Sequence, residues 1–284
     1  MKELTKYISE KLVLSKNTAK PKFTCRPKDK RALEMELQNR IFDDKNADLN
    51  DIDISLVNDL SNIIPIDAEN IDISGWDTSH VVNMASMFQG CKKVTCDVSK
   101  WNVSKVTDMH FMFDECAKFD CDLSGWNVSN VRYMGNMFKL CRTFKGKGLE
   151  SWDVSNVIDM EHMFDCCHKF IEDISKWNVS RVQDMRSMFA NCWKFDHDLG
   201  SWDVSNCKEF KYMFNAASKF TGKGLDKWDV SSAESMNSMF ESATKFDCDL
   251  SGWNVSNVKS MEQMFNFCNT LKNKPDWYIN RNKK

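Results

Sequence analysis

The sequence has almost no net charge, no long apolar run and no recognisable catalytic signature. Its 284 residues carry 39 Lys and Arg against 41 Asp and Glu, a formal charge of −2 with a pI near 6.2. No global field would draw such a chain onto nucleic acid or an anionic membrane. The opening segment MKELTKYISEKLVLSK has scattered charges and no continuous apolar stretch, so it reads as neither a secretory signal nor a membrane span. Cytoplasmic residence is the default expectation, with an extracellular or virion role left open. No phosphate-cradling glycine loop, nucleophile elbow or metalloprotease motif is present. Histidines number five, at positions 80, 110, 162, 168 and 197. Cysteines lack the paired spacing of a zinc site.

What the chain does have is aromatic, sulfur-rich and periodic. It contains 10 Trp, 19 Phe, 17 Met and 12 Cys, with 42% hydrophobic and 28% charged residues, a soluble globular balance able to bury a core. Tryptophans recur at 76, 101, 126, 152, 177, 202, 228, 253 and 277, in steps of 24 to 26 residues. Superimposing the copies gives W-[DN]-V-S-x-V-x-x-M-x-x-M-F-x-x-[CA]-x-x-F-x-x-D-[LI]-S. A degenerate copy, IDISLVNDLSNII, begins at Ile52, making nine units. The two 26-residue steps carry the insertions FKGKGLESW and FTGKGLDKW in the same loop, where a turn can absorb them.

Each unit predicts a short strand and a short helix. Val106, Met109, Met112, Phe113 and Cys116 recur at steps of three and four, an apolar helical stripe, with Ser104 as its N-cap. Leu123, Trp126 and Val128 form a β-prone run before the next cap. The expected fold class is therefore α/β: a solenoid of about nine 25-residue strand-helix units, with a parallel sheet on one face, short helices on the other and an N-terminal helical cap. The expected organisation is an amphipathic helix at 1–15, a basic linker at 16–31, a capping helix at 32–47, repeats at 48–276 and a stub at 277–284. Leu4, Tyr7, Ile8 and Leu12 share one face of the first helix; Leu33, Leu37 and Ile41 share one face of the second.

This repeat closely resembles the BspA-like, DUF285-type surface-protein repeat, a relative of leucine-rich repeats found in mycoplasma lipoproteins, gut and oral bacteria and some of their phages. The resemblance spans roughly residues 47–277, and the opening ADLNDIDIS at 47–55 is similar to the start of such arrays. It implies adhesion or protein recognition and brings no catalytic residues. The chain differs from surface-exposed members in having no signal or lipobox in its first residues.

Within the repeat, fixed columns should build the scaffold. Trp76, Trp101, Trp126, Trp152, Trp177, Trp202, Trp228 and Trp253 are expected in the core. So are Cys91, Cys116, Cys141, Cys167, Cys192 and Cys268, as small buried free thiols. Coils about 10 Å apart, as a helix layer requires, would keep these thiols from bridging. A second column, Cys96, Cys121 and Cys248, is expected to be exposed. The Asp97, Asp122, Asp173, Asp198 and Asp249 column reads as turn hydrogen bonding and the lysine column as solvated charge. A ladder of equivalent carboxylates does not supply the asymmetric pair that acid–base catalysis needs. No enzyme activity, cofactor or metal is expected.

Residues that break their own column are the candidates for function. Phe111, Tyr133, Trp193 and Tyr212 stand where other units carry mostly small or polar residues, and exposed aromatics are what interfaces concentrate. They point to an unknown protein partner. A glycan read by the ladder of Asp77, Asn102, Asn127, Asp153, Asn178, Asp203, Asp229 and Asn254 is the alternative, and an architectural spacer, associated with a phage, is the third reading.

Overall fold

The computed structural model describes residues 23–281. The expected helix at 1–15 and the linker up to residue 22 lie outside the described residues. The first described helix, α1 (Lys30–Asp43), is capped by the Asp29 carboxylate, which accepts from the Ala32 N–H, and it buries Leu33, Leu37 and Ile41. A four-residue helix, α2 (Asp276–Ile279), follows the repeats. These are the two α-helices among the described residues.

The strand-and-helix solenoid, and with it the leucine-rich-repeat-like parallel sheet, is overturned. Between α1 and α2 the described chain holds isolated parallel bridges, two 3-10 turns at Leu149–Ser151 and Leu225–Lys227, and otherwise consecutive turns. The bridges link equivalent positions, Asp59 to Asn83, Asp108, Tyr133, Asp159, Asp184, Glu209, Ser235 and Ser260.

The segment expected to be helical shows why. In the coil that starts at Trp101, the N–H groups of Met112, Asp114 and Cys116 each return three residues, to Met109, Phe111 and Phe113. The alternate N–H groups, of Met109, Phe111, Phe113 and Glu115, leave the coil and bond to Tyr133, Gly135, Met137 and Lys139 in the next. Phe111 and Glu115 have φ of 57° and 63°, in the left-handed region, where a right-handed helix cannot continue. Overlapping three-residue turns bury Met109, Met112, Phe113 and Cys116 as completely as a helix would. An apolar spacing of three and four thus has two solutions, and the chain takes the one that frees half its N–H groups for the neighbouring coil.

Side chains bias the choice locally. Asn102, Asp108 and Asp122 each turn a carboxylate or amide oxygen onto the N–H two residues on, at Ser104, His110 and Ser124. Such Asx turns compete with helix and strand. Ser104 is therefore a turn residue and not a helix N-cap. The run at Leu123, Trp126 and Val128 is likewise two turns, closed by Trp126 N–H to Leu123 and Val131 N–H to Val128.

Coils joined by backbone bonds approach to the spacing of a β ladder, about 4.8 Å, not the 10 Å of a helix layer. The core is accordingly a set of stacked columns. Phe88, Phe113, Phe138, Phe164, Phe189, Phe214, Phe240 and Phe265 stack with ring centroids 5.2 to 5.9 Å apart. Trp76, Trp101, Trp126, Trp152, Trp177, Trp202, Trp228 and Trp253 are all buried. Each indole N–H reaches a carbonyl of the preceding coil, as Trp126 does to Val98 at 2.9 Å. Buried indoles need such partners, and each fully buried ring contributes roughly 1.5–3 kcal/mol of transfer free energy.

The two insertions are absorbed at left-handed glycines. Gly148 has φ of 93°, and a Cβ there would lie 2.2 Å from the Ser124 backbone nitrogen. Gly252 has open space around it. Gly148→Ala is expected to destabilise the protein by about 2–4 kcal/mol, and Gly252→Ala by less than about 1 kcal/mol. Urea unfolding midpoints of the two variants check this; equal shifts would contradict the close approach at Gly148.

Candidate functional site

The side chains beside the bridges form a hydrogen-bonded polar surface. Phe111, Tyr133 and Tyr212 lie here. Tyr133 occupies a bridge position, half-buried. Phe111 and Tyr212 hold the left-handed position of their coils, with φ of 57° and 60°. Bulky side chains rarely adopt that conformation, so it puts these rings where the backbone pays for them. Tyr212 is 38% exposed and lies with the Lys211 ammonium 5.1 Å from its ring.

His110 ties the first two aromatics together. Its ring stacks on Tyr133 at 5.2 Å and meets Phe111 at 6.2 Å. Its Nδ1 faces Asp108 at 3.1 Å and its Nε2 faces Asp159, two coils away, at 2.8 Å. Gly135 makes that reach possible: a Cβ there would stand 2.9 Å from the imidazole and 3.0 Å from the Asp159 carboxylate. Hydrogen bonds first to Asp108 and then to Asp159 raise the His110 pKa to about 9, against the opposing effect of burial. Beyond Asp159 the charged row continues, with Arg186 bonded to Glu161 at 2.6 Å and Asp184 at 2.7 Å.

Trp193 sits elsewhere on the coil, in the loop after the cysteine column. It is 47% exposed and stacks flat on His168 of the preceding coil, centroids 3.7 Å apart. The structure thus joins Phe111 and Tyr133 through His110, sets Tyr212 further along the same face, and separates Trp193 from all three.

The cysteine columns are structural. Cys91, Cys116, Cys141, Cys167, Cys192 and Cys268 are buried, and all twelve cysteines are free thiols. The 10 Å spacing argument does not account for this. The thiols point instead at carbonyls of the preceding coil, Cys116 to Phe88 at 3.1 Å, Cys141 to Phe113 at 3.0 Å and Cys192 to Phe164 at 3.0 Å. Burial pushes their pKa values up, that of Cys91 to about 12 and that of Cys268 to about 11, so they stay protonated and poorly nucleophilic. Cys96, Cys121 and Cys248, expected to be exposed, are half-buried. Cys96 and Cys121 line an open cavity of about 660 Å³ with Asp72, Asp97 and Lys118.

The Asp column does serve turns: Asp97, Asp122, Asp173, Asp198 and Asp249 accept from the N–H two residues on. So do Asp77, Asn102, Asn127, Asp153, Asn178, Asp203, Asp229 and Asn254, each of which has a side-chain oxygen occupied in this way. Among the described residues no group of three or more His, Cys, Asp or Glu is arranged to hold a metal ion, and no helix is long and apolar enough to cross a membrane.

Sequence reasoning set His110, Asp159 and Gly135 aside or passed over them. The available signal was Gly135, a glycine in a column otherwise filled by Ala85, His110, Glu161, Arg186, Lys211, Asn237 and Glu262.

The raised His110 pKa makes a pH-dependent contribution to stability. It is fully present below the ordinary histidine value of about 6.5 and is lost as pH rises through about 9. Wild type should therefore exceed His110→Gln in denaturant midpoint at pH 6, and the two should converge near pH 10. A difference that stays constant over this range would contradict the double carboxylate contact.

The comparisons with known proteins agree with the repeat. The family described as Mycoplasma protein of unknown function, DUF285, matches at residues 36–148, 134–224 and 215–283, three consecutive segments covering most of the chain. No curated protein and no solved structure matches the chain. With a family match of that extent, the chain belongs to the DUF285 family.

Proposed function

We propose that this protein is a non-enzymatic recognition scaffold that binds another protein through its column-breaking aromatics, three on the face beside the bridges and one, Trp193, in the loop after the cysteine column. The observation that carries the reading is the seating of its column-breaking aromatics. Tyr133 is held against His110, which two carboxylates clamp, and Trp193 is held flat on His168. Rings fixed before binding lose little conformational entropy in a complex, and rigid, half-exposed Tyr and Trp are typical interface anchors. The surrounding columns vary in charge from coil to coil, with Arg132, Arg186, Lys208 and Lys211 among Asp108, Glu161, Asp184 and Glu209. Such a mixed surface suits a specific protein partner better than a uniform polyanion.

The glycan reading has less support. The Asn and Asp ladder it would use already spends an oxygen of each side chain on its own turn. A spacer role gives no reason for aromatic rings in left-handed backbone positions.

An affinity pull-down from host extract with wild type and a variant carrying Phe111, Tyr133, Trp193 and Tyr212 changed to Ser tests the reading. Loss of the recovered partner from the variant is expected, each anchor costing about 1–2 kcal/mol or more of binding, provided circular dichroism shows the variant folded. Recovery of the same partner by both proteins with equal affinity would contradict it.

A further inference from the structure

Coils stacked in register bring equivalent residues of successive coils together, and in one column two such residues are half-buried cysteines. Cys96 and Cys121 stand one full coil apart, with no insertion between them. Neighbouring rings in the Phe and Trp columns lie 5.2 to 6.4 Å apart. A disulfide accepts Cα separations of roughly 4.4–6.8 Å, so one coil step lies within its reach. The Cys121 side chain already crosses the junction, its Sγ lying 3.7 Å from the carboxylate of Asp97, the residue that follows Cys96.

This pair differs from the other thiols. Both members line the same open cavity of about 660 Å³, whereas Cys91, Cys116, Cys141, Cys167 and Cys192 share a column but are wholly buried. Cys248 stands in the column of the pair, yet its neighbour one coil back is Lys223, so it has no thiol to meet. The junction is also weakly tied on this side. Among the described residues no backbone hydrogen bond joins 94–100 to 119–125, although the Thr95 N–H bonds back to Glu69 and the Leu123 N–H forward to Lys147. A covalent link here would hold two coils together where the backbone ladder does not.

We propose that Cys96 and Cys121 form a reversible disulfide site, oxidised by small organic disulfides that enter the cavity. One protein thiol loses its proton to solvent and attacks a sulfur of the small disulfide. That S–S bond breaks, a mixed disulfide forms and the first small thiolate leaves. The second protein thiol then loses its proton to solvent and attacks the protein-bound sulfur. The Cys96–Cys121 bond forms, the second small thiolate leaves, and both leaving groups take up protons. Two protein thiols are thus oxidised by two electrons while one small disulfide is reduced to two thiols. Asp72, Asp97 and Asp120 outnumber Lys118 in the cavity lining, so an uncharged disulfide is a better oxidant than an anionic one. The site contains none of the four column-breaking aromatics and stands or falls independently of the recognition reading.

Treatment of the reduced full chain with bis(2-hydroxyethyl) disulfide, followed by acid quenching, alkylation of the remaining thiols and tryptic mass mapping, tests the proposal. Burial raises both thiol pKa values, so the exchange is run at about pH 8.5, near the ordinary thiol value. The expected product links VTCDVSK (94–100) to FDCDLSGWNVSNVR (119–132), each of which contains a single cysteine, and it disappears on reduction with dithiothreitol. Cys248 should stop at the mixed disulfide. Cys96→Ser and Cys121→Ser should each retain the small thiol as an adduct on the remaining cysteine, an adduct that wild type releases. The site is overturned if wild type keeps adducts on both cysteines, if neither cysteine reacts in the folded protein, or if Cys96 and Cys121 link to other cysteines as often as to each other.

Discussion

The forward hydrogen bond from one coil to the next is the constraint on which the structure depends. Because Met109, Phe111, Phe113 and Glu115 give their N–H groups to the neighbouring coil, the intervening residues must close turns on themselves. Two residues per coil must then enter left-handed backbone. The same bonds set the coil spacing, and the spacing stacks Phe on Phe and lets each indole and thiol reach a carbonyl one coil back. Unfavourable φ angles in this fold are offset by the ladder they permit.

The repeat, its period, its core columns and the glycine-bearing insertions were legible in the sequence, because burial leaves a periodic trace whatever the backbone does. Trp126, Phe138 and Cys141 are buried as their columns require. The backbone itself was not legible. Met109, Met112, Phe113 and Cys116 satisfy a helical period, yet overlapping turns bury the same four residues, and pattern alone does not separate the two. The discriminating trace was polar: Asn102, Asp108 and Asp122 stand two residues before groups they cap, an Asx-turn pattern written three times in this coil. The surface was read in part. Aromatic column-breakers stood out, whereas the clamp of His110 by Asp108 and Asp159 depends on contacts across two coils that only the fold creates.

A scaffold that satisfies its polar backbone groups through neighbours leaves its outward columns free to change, since their side chains support only their own turns. This separates the uniform interior from the individual surface. Tyr133 against His110, Trp193 against His168 and Tyr212 beside Lys211 are local arrangements on an otherwise repeated frame. The directionality of the ladder adds a second kind of individuality, because the ends of such a stack differ even where the units are alike.

Amide hydrogen exchange across residues 133–141 tests the ladder most directly. Forward bonding predicts that Met134, Asn136, Phe138 and Leu140 exchange only through global unfolding, while Gly135, which has no N–H partner among the described residues, exchanges far faster. Uniform protection of consecutive amides from Met134 to Cys141, the pattern of an α-helix, would contradict the account.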